Sequence, residues 1–155
     1  MNLLLIEDDN NKSKQIINSI QEAYFNNVNI SEAHSFQKGM KKIRTENYNC
    51  LLLDMTLPTY DIETNHSGGT TKKFGGIEIL EEMKMREIYL KTIIITQFDT
   101  FGEGKNLITI KELREHLKRD FSENFEEIIY YNSSLTTWRD KLIKILDRYS
   151  KGVKN

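Results

Sequence analysis

Four residues of this chain have the types and settings to handle a phosphoryl group or a metal ion: Glu7, Asp8, Asp54 and Thr96. Each stands at the end of a short apolar run. Leu3-Leu4-Leu5-Ile6 leads into Glu7-Asp8-Asp9, Cys50-Leu51-Leu52-Leu53 into Asp54, and Ile93-Ile94-Ile95 into Thr96. A carboxylate released at the tip of a buried strand is placed to attack an electrophile or to hold a cation. If the strands are neighbours, Glu7, Asp8 and Asp54 crowd together, and their mutual repulsion raises a pKa or demands a positive ion. Magnesium meets that demand, because it keeps several waters, needs only one or two protein carboxylates and completes its shell with phosphate oxygen. Such an ion neutralises an incoming phosphoryl group while an aspartate attacks phosphorus in line.

These ends meet only if the runs lie side by side. The apolar stretches Leu3–Ile6, Cys50–Leu53, Thr92–Ile95 and Ile128–Tyr131 do not alternate with polar residues, which suits strands covered on both faces. Val28-Asn29-Ile30 is a weaker, edge-like strand. Between the runs the spacing turns helical: Ile16, Ile20 and Tyr24; Phe36, Met40 and Ile43; Ile79, Leu80 and Met83; Leu113 and Leu117; Trp138, Leu142, Ile145 and Tyr149. Thr109 and Glu112 form a capping box that starts the fourth helix. Alternating strands and helices predict an α/β fold with a five-stranded parallel sheet and helices on both faces. Ligands of such a sheet bind at the carboxyl ends of its strands, where the acids and the threonine stand.

With 155 residues, the chain is expected to form one domain over 1–150. Two segments exceed what a minimal βα unit needs: Tyr60–Gly75, which carries no hydrophobic period and reads as a loop insertion, and Gln97–Asn124, an extended stretch holding a polar loop and the fourth helix. Residues 151–155 read as a polar tail. The 22 basic and 23 acidic residues nearly cancel, so no overall field draws the protein to nucleic acid or to an anionic membrane. The single Cys50 lies in an apolar run and cannot form an internal disulfide, and no apolar stretch approaches the length of a membrane span. A cytoplasmic location is expected.

On Glu7-Asp8, Asp54, Leu57-Pro58, Gly76 and Thr96 the chain resembles, over nearly its full length, the receiver domain of bacterial two-component response regulators, in an atypical form. The resemblance implies a flavodoxin-like, doubly wound sheet with Asp54 as phosphoacceptor. It further implies Mg2+ held by Asp8 and Asp54, by Glu7 largely through water and by the Thr56 carbonyl, and a Thr96 hydroxyl that bonds a phosphoryl oxygen. A sensor histidine kinase or phosphotransfer protein would supply the phosphate in a phosphorelay, and a separate protein target would read the face formed by the fourth helix, fifth strand and fifth helix. The chain would act as a stand-alone receiver, not an enzyme beyond self-phosphorylation and self-dephosphorylation at Asp54.

Three departures stand out. The family's lysine at the end of the fifth strand is replaced by Asn132 or Tyr131; Gln97 follows Thr96 where a small residue is usual; and the Tyr60–Gly75 insertion separates Leu57-Pro58 from Gly76. That insertion is expected either to act as a flap whose Lys72 or Lys73 returns the missing charge or to be a disordered surface insertion. The alternatives are a degenerate receiver serving as an interaction module without phosphate cycling, and an aspartate-nucleophile phosphatase, which Thr56 disfavours by standing where such enzymes carry a second aspartate. His34, His66 and His116 are too widely spaced for a metal site. Gly68-Gly69-Thr70-Thr71-Lys72-Lys73 lacks the order of a phosphate-binding P-loop.

Overall fold

The computed structural model describes residues 1–58, 71–72 and 75–151. Five strands form one parallel sheet: β1 (Asn2–Ile6), β2 (Asn29–Ala33), β3 (Cys50–Leu53), β6 (Thr92–Thr96) and β9 (Phe125–Tyr130), in the order β2-β1-β3-β6-β9. Two short ribbons lie outside it. The first pairs β4 (Leu57–Pro58) with β5 (Thr71–Lys72), and the second pairs β7 (Thr100–Phe101) with β8 (Ile108–Thr109), both antiparallel. The helices are α1 (Asn10–Ala23), α2 (Phe36–Thr45), α3 (Gly75–Met85), α4 (Ile110–Asp120) and α5 (Thr137–Ser150).

The unalternating apolar runs are explained by two cores, one on each face of the sheet. Leu3, Leu5, Leu52, Ile93 and Ile95 pack with Ile16 and Ile20 of α1 and with Trp138 and Leu142 of α5. Leu4, Ile6, Leu51, Leu53 and Ile94 point the other way, onto Met40 of α2, Ile79 and Met83 of α3 and Leu117 of α4. Successive residues of a strand face opposite sides, so a strand buried on both must be apolar throughout. The edge strand β2, with Ser31 and Glu32 in its middle, carries no such load.

Side chains cap the starts of three helices. Asp9 accepts from the Lys12 N–H at 3.1 Å, Ser35 from Lys38 at 3.3 Å and Thr109 from Glu112 at 3.2 Å, each occupying an amide that the first turn leaves without a partner. The Gln97–Asn124 stretch differs from the expected polar loop. It opens with the β7–β8 hairpin, closed by a 3-10 turn at Gly104–Asn106, and α4 is only 11 residues long. Two-residue strands are too short to show a period of two. Gly102 makes the hairpin's bend at φ +97°, where a side-chain Cβ would stand 2.4 Å from the Asn106 carbonyl oxygen. No helix among the described residues is long and apolar enough to cross a membrane.

Candidate functional site

The register of the sheet gathers the predicted residues. Ile6 pairs with Leu53 and Leu53 with Ile94, so Glu7, Asp54 and Thr96 leave three adjacent strands at one edge. Backbone bonds fix the exits: Glu7 N–H donates to Ala33 at 3.0 Å, and Asp54 N–H donates to Ile6 at 3.0 Å. Carboxylate oxygens of Glu7, Asp8 and Asp54 lie within 4.8 Å of one another. Glu7 and Asp54 are buried, while Asp8 is exposed and opens the cluster to solvent. Thr96 is fully buried; its Oγ1 accepts from the Phe98 N–H at 3.2 Å, and its carbonyl accepts from Tyr131 N–H at 2.7 Å.

The loop that follows Asp54 is held from below. Gly76, at the start of α3, donates to the Met55 carbonyl at 3.0 Å, and a Cβ at Gly76 would stand 2.6 Å from the Asp54 carbonyl oxygen. Only a residue without a side chain lets the helix start come this close. Thr56 follows on the same loop, half-buried between Met55 and Leu57.

Lys12, a residue that the sequence reading passed over, lies at the centre of the cluster. Its Nζ is 2.6 Å from Glu7 Oε2 and 3.1 Å from Asp54 Oδ1, and it donates to the Ile95 carbonyl at 2.7 Å. An ammonium has three donors, and these three acceptors engage all of them. Lys12 is 2% exposed. The Tyr131 ring lies 5.8 Å from the amine, and the Tyr131 hydroxyl donates to Gln15 on α1 at 2.7 Å. The end of β9 thus brings an aromatic face to a lysine that arrives from α1. Asn132 belongs to the turn beyond, where its Oδ1 accepts from Ser134 N–H at 2.9 Å. The strand-end position holds Tyr131 and Asn132 and no lysine, while a lysine from α1 occupies the site. A signal was present: Lys12, Ile16 and Ile20 recur at helical spacing, which put a lysine on the buried face of α1.

Burial pushes the Glu7 carboxyl up to about 8, with the Asp54 charge adding to it and Lys12 opposing. Burial likewise raises Asp54 against the pull of Lys12, and burial raises Asp8. For Lys12, burial acts to lower the pKa, but the Asp54 and Glu7 charges outweigh it and hold the amine above its usual value. Three acids face one ammonium, and the surplus is negative. This hard-oxygen set fits a small divalent cation.

A cleft of about 440 Å³ beside the cluster, lined among others by Asp9, Lys12, Gln15, Gln97 and Tyr131, opens the Lys12 side to solvent, with Gln97 at its lip. Of the expected flap, residues 60–70 and 73–74, including Lys73, lie outside the described residues. The Lys72 backbone pairs with Leu57. Of the glycine-rich stretch, residues 68–70 and 73 fall outside as well, as does His66. His34 Nδ1 lies 2.9 Å from the Glu7 carbonyl, a strand-end contact and not a metal ligand.

No protein-family model matches the chain. It is 29% identical over 143 residues to the Detocs response regulatory protein DtcB of Enterobacter cloacae, covering 91% of this chain and 95% of that protein. It is 21% identical over 146 residues to a DtcB of Vibrio alginolyticus, covering 93% and 98%. Among solved structures, the receiver domain of the Francisella response regulator 1452 superposes with a TM-score of 0.61 at 18% identity, covering 99% of this chain and 98% of that one. The Thermotoga maritima response regulator TrrA, in complex with Mg(2+)-BeF, gives 0.59 at 18% identity, covering 96% and 97%. The phosphorylated cyanobacterial phytochrome response regulator RcpA gives 0.64 at 14% identity, covering 99% and 96%.

Proposed function

We propose that this chain, which has the fold of response-regulator receiver domains, accepts a phosphoryl group on Asp54 and signals through protein contacts. The observation that carries the reading is the meeting of Glu7, Asp8 and Asp54 at one end of the sheet, with a buried threonine ending the adjacent strand. Met55 N–H and Lys12 both donate to Asp54 Oδ1, at 2.8 and 3.1 Å, which orients the carboxylate and directs Oδ2 as the attacking oxygen. Oδ2 forms a bond to phosphorus as the bond from phosphorus to the donor breaks. The leaving group departs with the electron pair, and Asp54 becomes an acyl phosphate. The donor is a phosphohistidine of a sensor kinase or phosphotransfer protein, or a small acyl phosphate. Asp8, Asp54 and the Thr56 carbonyl, with Glu7 largely through water, would hold Mg2+, which would supply positive charge to the transferring oxygens. Thr96, whose Oγ1 accepts from Phe98 N–H, donates its O–H to a phosphoryl oxygen and so ties the state of Asp54 to the segment that leads into the β7–β8 hairpin.

The degenerate alternative rests on the missing strand-end lysine, and the Lys12 ammonium beside Asp54 supports the phosphate-accepting reading over it. Incubation with acetyl phosphate and Mg2+ tests the proposal by intact mass. A gain of one phosphoryl group in the wild type and none in Asp54→Asn is expected. Steady turnover of a generic phosphomonoester would instead favour the phosphatase, and no Asp54-dependent gain under any donor would sink the phosphoacceptor reading.

A further inference from the structure

We infer that Lys12, delivered from the first turn of α1, is the cation that binds the phosphoryl group on Asp54 in this protein. The inference rests on the phosphoacceptor reading and deepens it.

The geometry carries the argument. Lys12 Nζ already touches Asp54 Oδ1, so a group attached to the same carboxylate comes within reach of the ammonium without a change of backbone. The Ile95 carbonyl holds the amine at 2.7 Å from the strand next to the acceptor, immediately before Thr96. That bond survives phosphorylation, because neither partner reacts. The contact to Glu7 Oε2, at 2.6 Å, is the one that changes. Glu7 also belongs to the acidic set that fits a divalent ion, so the ion and Lys12 compete for it. When both an ion and a phosphoryl group are present, the ion takes the Glu7 charge and the ammonium turns to the new anionic oxygens. A cleft lined by Lys12, Gln97 and Tyr131 lies beside the lysine. Tyr131 fills the space beside the amine with an aromatic face and is itself tied to α1 through Gln15. The strand-end residue is thereby a wall for the lysine and not its source.

Competition makes the test specific. Lys12→Met removes the charge at similar volume. Its affinity for Mg2+ alone is expected to rise, since a rival for Glu7 and Asp54 is gone, while its affinity for beryllofluoride with Mg2+ falls by roughly ten- to a hundredfold, the scale of a charged hydrogen bond. A merely structural lysine would weaken both, and that outcome overturns the inference, as does beryllofluoride binding equal to wild type. Wild-type protein that binds no beryllofluoride in an Asp54-dependent way would instead refute the phosphoacceptor reading beneath it. A measurement on wild-type protein guards against a variant that does not fold. The buried ammonium of Lys12, assigned by its loss in Lys12→Arg, is expected to move in 15N spectra when beryllofluoride is added to the Mg2+-bound protein. A signal that stays in place overturns the assignment.

Discussion

Two glycines offer a matched test of what holds the acceptor in place. At Gly76 a Cβ would stand 2.6 Å from the Asp54 carbonyl oxygen and 3.1 Å from the Met55 Cα, both backbone atoms. At Gly39 the nearest atom is also 2.6 Å away, but it is the Cδ1 tip of Ile6, a side chain that can rotate. Both glycines lie in helices, where alanine is intrinsically favoured by up to about 1 kcal/mol. For Gly39→Ala that gain offsets the strain of moving Ile6, and stability stays near wild type. For Gly76→Ala the helix and the acceptor loop must separate by several tenths of an ångström, and overpacking of this kind costs about 1–3 kcal/mol. The net loss after the full helix gain is about 0–2 kcal/mol, or up to roughly 8 °C in Tm for a chain of this size. Thermal unfolding by circular dichroism reads the difference directly. Because the displaced atoms belong to Asp54 and Met55, Gly76→Ala should also slow phosphorylation, whereas Gly39→Ala should not. If Gly76→Ala proves as stable as Gly39→Ala, the close approach of α3 to the acceptor loop is not a constraint and the reasoning fails.

Asn124 is buried, and its amide donates to the Ile88 carbonyl at 2.8 Å and the Leu90 carbonyl at 3.2 Å, far from the acids. Asn124→Ala should therefore cost about 1–3 kcal/mol in urea unfolding while leaving beryllofluoride affinity unchanged; a loss of affinity would show that the region below β6 communicates with the site. Glu7, Asp54 and Asp8 all have raised pKa values, so the folded metal-free protein holds protons more tightly than the unfolded chain. The stability this gives is fully present below the unfolded Glu7 value of 4.5 and is lost as pH rises toward about 8. Metal-free protein should thus become easier to denature across that window, saturating Mg2+ should reverse the trend, and a flat metal-free profile would contradict the burial of these acids.

The sheet and its strand-end acids were legible because double-sided burial writes unbroken apolar runs such as Leu51-Leu52-Leu53, and because the reactive residues must follow those runs. Lys12 was missed for an equally physical reason. A lysine in a helix is ordinarily solvated, and only its phase with Ile16 and Ile20 marked it as inward-facing, a signal that two apolar positions state weakly. The cation was sought at the end of β9, where Tyr131 stands, although Coulomb attraction depends on the place a charge occupies and not on the element that brings it. The β7–β8 hairpin escaped notice because strands of two residues carry no periodicity, leaving Gly102 and Gly104 as the local hints.

The pairing of Leu57–Pro58 with Thr71–Lys72 separates the length of the insertion from the position of the acceptor. The chain leaves Asp54, passes Leu57 and returns to the same two-residue pair before α3 begins. Closure is settled at that base, and beyond it each doubling of length adds only about 0.6 kcal/mol of loop entropy. The pair ties the chain that follows Asp54 to the chain that precedes α3, so a change in the length between them has little leverage on where Asp54 stands.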